Sequence, residues 1–197
     1  MCRKKIFFRK FAQIYLAMKK VTYKGLTFEP YISHQTLQTR VAEIAGQISQ
    51  DYSGKCPLFI CVLTGAFMFA SDLFKALDID AEITFIRLKS YEGTSTTGKI
   101  KEVMGLHESI EGRDIIIVED IVDTGNTIVR LIDDLKQQGA ASIKVATLLF
   151  KPESIQFDYK PDYVGFPIPT KFIIGYGLDL DGLARNLPDI YSLTNEE

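Results

Sequence analysis

Cysteine is scarce in this chain of 197 residues: Cys2, Cys56 and Cys61 are an odd number without C-x-x-C spacing. That argues against a disulfide framework and a zinc site, and fits a reducing cytoplasm. Histidine is scarcer still, and neither His34 nor His107 has a partner at metal-ligand spacing. His34 reads as a surface or capping residue, and neither is a catalytic candidate. No apolar run reaches the length of a membrane span. No G-x-x-x-x-G-K-S/T phosphate loop occurs, and Gly175-Tyr176-Gly177 lacks the third glycine of a dinucleotide-binding turn. Acidic residues are missing from the first twenty positions, which hold seven of the 23 Lys and Arg; the remainder carries 16 basic against 25 acidic residues. So acidic a body argues against broad nucleic-acid binding, which needs a basic surface. The basic start has only a short apolar segment, Phe11 to Met18, and no small-residue cleavage site. The expectation is a dispensable N-terminal extension over residues 1–20, with Met18 as the natural start.

A hydrophobic content of 46% is enough for one well-buried domain with a small appended lobe. Its organising stretch runs from Asp114 to Arg130. Ile115, Ile116, Ile117 and Val118 form an unbroken apolar run, the pattern of a strand buried on both faces of a parallel sheet. Glu119 and Asp120 are expected where that strand leaves the sheet, at the carboxyl edge where open α/β sheets bind ligands. Adjacent carboxylates there can accept hydrogen bonds from sugar hydroxyls or hold a hard cation. Asp123-Thr124-Gly125-Asn126-Thr127 then turns into an amphipathic helix carrying Ile128, Val129, Leu131, Ile132 and Leu135. Unpaired N–H groups and the helix dipole make such an N-terminus an anion site, and a phosphate is the expected occupant. Taken without a family, Asp123 is equally a helix N-cap or turn residue.

The string V-E-D-I-V-D-T-G-N-T resembles the 5-phosphoribosyl 1-diphosphate (PRPP) motif of type I phosphoribosyltransferases, and within them the hypoxanthine-guanine branch. The resemblance implies an α/β fold with a central, mostly parallel sheet flanked by helices: a core over residues 21–166 and a base-selecting C-terminal hood over 167–197. It makes Asp123 the carboxylate beside purine N7 that assists proton removal. Thr124, Gly125, Asn126 and Thr127 would hold the 5′-phosphate, and Glu119 and Asp120 the ribose hydroxyls.

The flanking segments read in the same terms. Ser33 to Asp51 has Leu37, Val41, Ile44, Ala45 and Ile48 on one helical face. Leu58 to Leu63 is strand-like, followed by Thr64-Gly65 and a helix through Ala66, Phe69, Leu73 and Leu77. By the resemblance, Leu63-Thr64-Gly65 is the diphosphate loop, although many members carry lysine at the position of Thr64. Ala81 to Lys89 alternates as a strand. Ser90 and Tyr91 open a polar stretch, through Lys99, that is similar to the mobile loop closing over the site in this family. Ser142 to Phe150 is a further strand, and by the resemblance Lys151 after it matches a lysine near purine O6 and the acidic base residue. Asp162 to Phe166 is a short last core strand.

The hood string K-F-I-I-G-Y-G-L-D narrows the base. Lys171 only donates, which favours a 6-oxopurine over adenine. Phe172 offers a face for stacking, and Ile173 backbone groups for the base edge. Asp179 matches the carboxylate that holds a magnesium ion shared with diphosphate, with Glu119 and Asp120 as further candidate ligands, and Arg185 the arginine that approaches diphosphate. The implied reaction converts PRPP and hypoxanthine or guanine to IMP or GMP and diphosphate, in a cytoplasmic enzyme with neither nucleic-acid nor membrane partner. The resemblance also implies a homodimer or homotetramer. Two other readings are a nucleotide-sensing regulator that keeps the fold but binds RNA or DNA, and a transferase for adenine, xanthine or orotate. The acidic body weighs against the first; Lys171 and Phe172 weigh against adenine and orotate, while xanthine stays open.

Overall fold

The structure, a computed structural model, describes residues 19–89, 101–104, 106 and 109–194. Ser90 and Tyr91, the rest of the expected mobile loop, His107 and residues 1–18 lie outside them.

Strand β6 (Asp114–Val122) lies inside a six-stranded sheet. The other strands are β3 (Leu58–Leu63), β4 (Glu82–Lys89), β5 (Lys101–Met104), β7 (Ser142–Phe150) and β8 (Tyr163–Pro167). Their order is β5-β4-β3-β6-β7-β8, parallel throughout except that the edge strand β5 runs antiparallel to β4. Ile115 to Val118 are buried, and their alternation splits the core in two. Ile116 and Val118 pack in a layer with α1 (His34–Asp51) and α2 (Phe67–Lys75). Ile115 and Ile117 pack on the opposite face with Ile128, Leu131 and Leu135 of α3 (Asn126–Gln137). A strand apolar at every position is thus explained by helices on both sides.

Helix α1 buries the five residues expected, and Ser33 caps it by accepting from the Thr36 N–H at 3.2 Å, leaving His34 as the first helical residue. Helix α2 stops at Lys75, so Leu77 follows the helix instead of ending it. Among the described residues no helix is long and apolar enough to cross a membrane.

A second, four-stranded sheet has the order β1-β2-β10-β9, from β1 (Val21–Tyr23), β2 (Leu26–Ile32), β10 (Ile190–Leu193) and β9 (Ile173–Ile174). It has its own apolar cluster of Phe28, Ile174, Ala184 and Tyr191. Strands within residues 21–32, which the sequence expectation gave to the core, thus share a sheet with strands within 173–193, which it gave to the hood. Strand pairing over such a separation leaves no local sign, because each strand alone shows only its own alternation.

Candidate active site

Strands β3 and β6 are neighbours, but the chain leaves β3 toward β4 on one side and β6 toward β7 on the other. Connections that diverge at adjacent carboxyl ends open a crevice, the usual ligand position in such sheets. Both motifs end there. Leu63-Thr64-Gly65 follows β3 through a cis Leu63–Thr64 peptide. Gly65 packs so closely on Asp120 that a methyl group on it would overlap Oδ2 and stand 2.5 Å from Cγ.

The acid pair sits differently from expectation. β6 does not end at Val118: pairing with β3 stops there, but pairing with β7 continues through Val122. Glu119 and Asp120 are thus on a strand supported on one side and open to the crevice on the other. Burial pushes the Glu119 carboxyl well above the usual carboxylate range, with the charge of Asp120 adding to it. Burial likewise raises Asp120 to about 6, against the lowering effect of the Ile121 N–H and Arg185. Carboxyls so placed are stabilised in their charged form by whatever brings donors or positive charge into the crevice.

Beyond Val122 the chain turns through Asp123 and Thr124 to Gly125, which is the N-cap of α3, has a φ of 84° and offers no side-chain cap. Asp123 is therefore not the cap of α3, but it does lie in the turn before it. Its Oδ2 instead accepts from Lys151 Nζ at 2.7 Å, in an ion pair whose lysine side chain is 10% exposed. Gly125 offers α3 no side-chain cap, and of the first-turn amides the Asn126 N–H donates to Thr124 Oγ1 at 3.4 Å; a helix N-terminus of this kind favours an anion. Asn126 Nδ2 donates to Thr124 Oγ1 at 3.0 Å, which shapes the turn.

The connection after Lys151 braces this turn, a role the sequence did not reveal. Gln156 N–H donates to the Thr124 carbonyl at 3.0 Å, and its side-chain oxygen accepts from Asn126 Nδ2 at 3.3 Å. A methyl on Gly125 would stand 2.7 Å from Ile155 Cδ1, so this glycine is needed for both its φ and the close approach. The only signal was Gly125 itself, which marks a tight approach without naming the partner.

The hood meets the crevice at Gly177: a methyl there would overlap the Gly65 carbonyl oxygen. Arg185 Nη1 donates to the Gly177 carbonyl at 2.6 Å, and its Nη2 pairs with Asp179 Oδ1 at 2.6 Å. Asp179 Oδ2 accepts from the Gly182 N–H at 2.6 Å. Asp179 and Arg185 thus stand together, and both act electrostatically on Asp120.

Phe172 is 48% exposed, so it is not a core residue, and its ring is tilted against Phe28 at 6.2 Å. Lys171 Nζ lies 5.2 Å from the Tyr31 ring centroid. Ile173 is buried on β9, an edge strand of its sheet. Ser154 and Thr170 hydroxyls, 3.0 Å apart, tie the hood to the connection beside Lys151. Phe28 and Tyr31, contributed by β2, are further site supports that the sequence did not disclose.

The family model described as phosphoribosyl transferase domain matches residues 31–181. A hypoxanthine-guanine phosphoribosyltransferase of Streptococcus thermophilus is 42% identical over 165 residues, 83% of this chain and 92% of that protein. One of Bacillus subtilis is 42% identical over 160 residues, covering 81% and 89%. The crystal structure of a hypoxanthine-guanine phosphoribosyltransferase of Bacillus anthracis superposes with a TM-score of 0.80 at 42% identity, over 84% of this chain and 98% of the other. With a motif-bearing crevice at the switch point and relatives matched along most of their length, the chain belongs to the phosphoribosyl transferase family, in its hypoxanthine-guanine branch.

Proposed function

We propose that this protein is a purine salvage enzyme that transfers the 5-phosphoribosyl group of PRPP to hypoxanthine or guanine, giving IMP or GMP and diphosphate. The observation that carries the reading is the meeting, in one crevice, of an acid pair, an uncapped helix N-terminus and the hood. In this reading the amides of Thr124 to Thr127 take the 5′-phosphate, and Glu119 and Asp120 accept from the ribose hydroxyls. Lys171 donates to purine O6, and Phe172 stacks on the base. Asp123 stands beside N7, where it shares or removes the proton as the glycosidic bond forms; Lys151, held on its Oδ2, is close enough to tune that transfer. Negative charge growing on the leaving diphosphate meets Arg185 and the Gly65 loop.

In this reading magnesium would be held through the oxygens of Asp179, with Asp120 and Glu119 as further candidate carboxylates and substrate oxygens completing its shell. Among the described residues no three such side chains form a ready-made metal group. When bound, magnesium would supply Lewis-acid neutralisation of the diphosphate.

A cytoplasmic homodimer or homotetramer is the assembly in this reading, and residues 1–17 are dispensable to it; sedimentation and activity of a chain starting at Met18 test both. Initial rates of diphosphate release with PRPP and magnesium, measured with hypoxanthine, guanine, xanthine and adenine in turn, test the function. Release that needs a 6-oxopurine supports it. Release with adenine alone, or with no base, overturns it.

A further inference from the structure

Tyr176 is buried, and its backbone has a φ of 50° between Gly175 at 95° and Gly177 at 100°. A bulky residue in the left-handed region persists only where its surroundings hold it there. The Tyr176 N–H donates to the Leu187 carbonyl at 2.8 Å, and its side chain is held by a hydroxyl that donates to Asp72 Oδ2 at 2.7 Å, beside a second donor, Gln38 Nε2, at 2.5 Å on the same oxygen. Lys75 Nζ stands 2.6 Å from the other oxygen, Oδ1. Burial favours the protonated acid, but the Lys75, Tyr176 and Gln38 donors outweigh it and hold Asp72 below its ordinary pKa. The acceptor is thus a charged carboxylate, the stronger kind of partner for a phenol.

These contacts close a circuit through the site. Asp72 is on α2, the helix that begins directly after Thr64-Gly65; Tyr176 immediately precedes Gly177. Gly177 in turn packs on the Gly65 carbonyl and accepts from Arg185. The purine-facing residues have other anchors, Tyr31 under Lys171 and Phe28 against Phe172.

We propose that Asp72 and Tyr176 are positioning residues that fix the diphosphate end of the donor site, by tethering the Gly175–Gly177 loop to the helix that carries the diphosphate loop. The inference rests on the phosphoribosyl-transfer reading. It assigns them no contact with substrate; they act through Gly177 on Arg185 and on the Gly65 backbone.

The test compares wild type, Tyr176→Phe, Asp72→Asn and the double variant in steady-state kinetics, with diphosphate as product inhibitor and a thermal melt of each protein. Loss of one hydrogen bond that reaches substrate only through the backbone it positions predicts a KM for PRPP and an inhibition constant for diphosphate raised about three- to tenfold. The KM for hypoxanthine should stay within about twofold, because its anchors are independent. The double variant should be little worse than the worse single one, since both remove the same tether. An unchanged KM for PRPP in folded variants overturns the proposal, as does an equal rise for both substrates. Loss of the cooperative melt in both single variants also overturns it, because the tether would then hold the fold instead of the loop. If wild type itself releases no diphosphate from PRPP, the functional reading has failed, a result distinct from any of these.

Discussion

Replacing Gly65 by alanine adds one methyl group at the point where the two halves of the crevice touch. Its position would overlap Asp120 Oδ2 and lie 2.5 Å from Cγ. Non-bonded carbon atoms settle at about 3.5–4.0 Å, so one partner must move by about 1 Å or more. Asp120 cannot swing freely, because it is half-buried and its Oδ1 accepts from the Ile121 N–H at 2.9 Å. The loop cannot simply rise, because the Gly65 carbonyl is covered by Gly177. Overpacking of this kind costs about 1–3 kcal/mol. Whichever partner yields, the acid that grips ribose or the amides that face diphosphate are displaced. Charged to PRPP binding, that is about a 5- to 150-fold rise in KM for PRPP. Gly46 is the control: it is exposed on α1, and a methyl there meets nothing within 4 Å. Gly46→Ala should raise stability by about 0.5–1 kcal/mol, with unchanged kinetics. Initial-rate kinetics and urea unfolding of both variants decide the matter. A Gly65→Ala enzyme whose KM for PRPP and turnover stay within about twofold of wild type would refute the steric reasoning.

Asp123→Asn should lower kcat by about 10² to 10⁴ while PRPP affinity changes far less. The amide is preferred to alanine because alanine would strand the buried Lys151 cation and confound chemistry with stability; unchanged turnover would remove Asp123 from the reaction. Lys171→Gln should cost about 1.5–3 kcal/mol in kcat/KM for hypoxanthine and narrow the gap to adenine, and an undiminished gap would exclude Lys171 from base selection. Asp72 has a folded-state pKa held below 3.8. Its contribution to stability is therefore fully present above the unfolded value and lost as pH falls through the lower folded one. Urea unfolding of wild type and Asp72→Asn should show a difference that shrinks below about pH 4; a difference constant down to acid unfolding would contradict the charge on Asp72.

The core elements were legible because each is set by its own sequence. Leu58–Leu63 and Ser142–Phe150 appear as the strands expected, since apolar runs between turn residues have few other outcomes. The turn at Gly125 was legible for the same local reason. Long-range partners were not. Nothing in Phe28 or Tyr31 announces that β2 would lie in the same sheet as the strand bearing Ile173, and the end of β6 was misplaced because β7, not the strand's own residues, extends it. Asp123 shows the difference: its local sequence permits a helix cap, and its pairing with Lys151 was legible only through the family resemblance, not from the residues around it. Asp179 and Arg185 were separate expectations, one for metal and one for diphosphate, and the hood folds them into a single ion pair. The loop that includes Ser90 and Tyr91 lies outside the described residues, so its closing role stays an expectation.

The central claim is that the Glu119–Asp120 pair and the turn from Asp123 to Thr127 form a site for a diphosphorylated sugar phosphate. Calorimetric titration of the full chain with PRPP and magnesium, combined with amide hydrogen exchange over that turn, tests it most directly. The account predicts saturable heat and slowed exchange from Thr124 to Thr127. Absence of heat, with exchange in the turn unchanged at saturating PRPP, would contradict it.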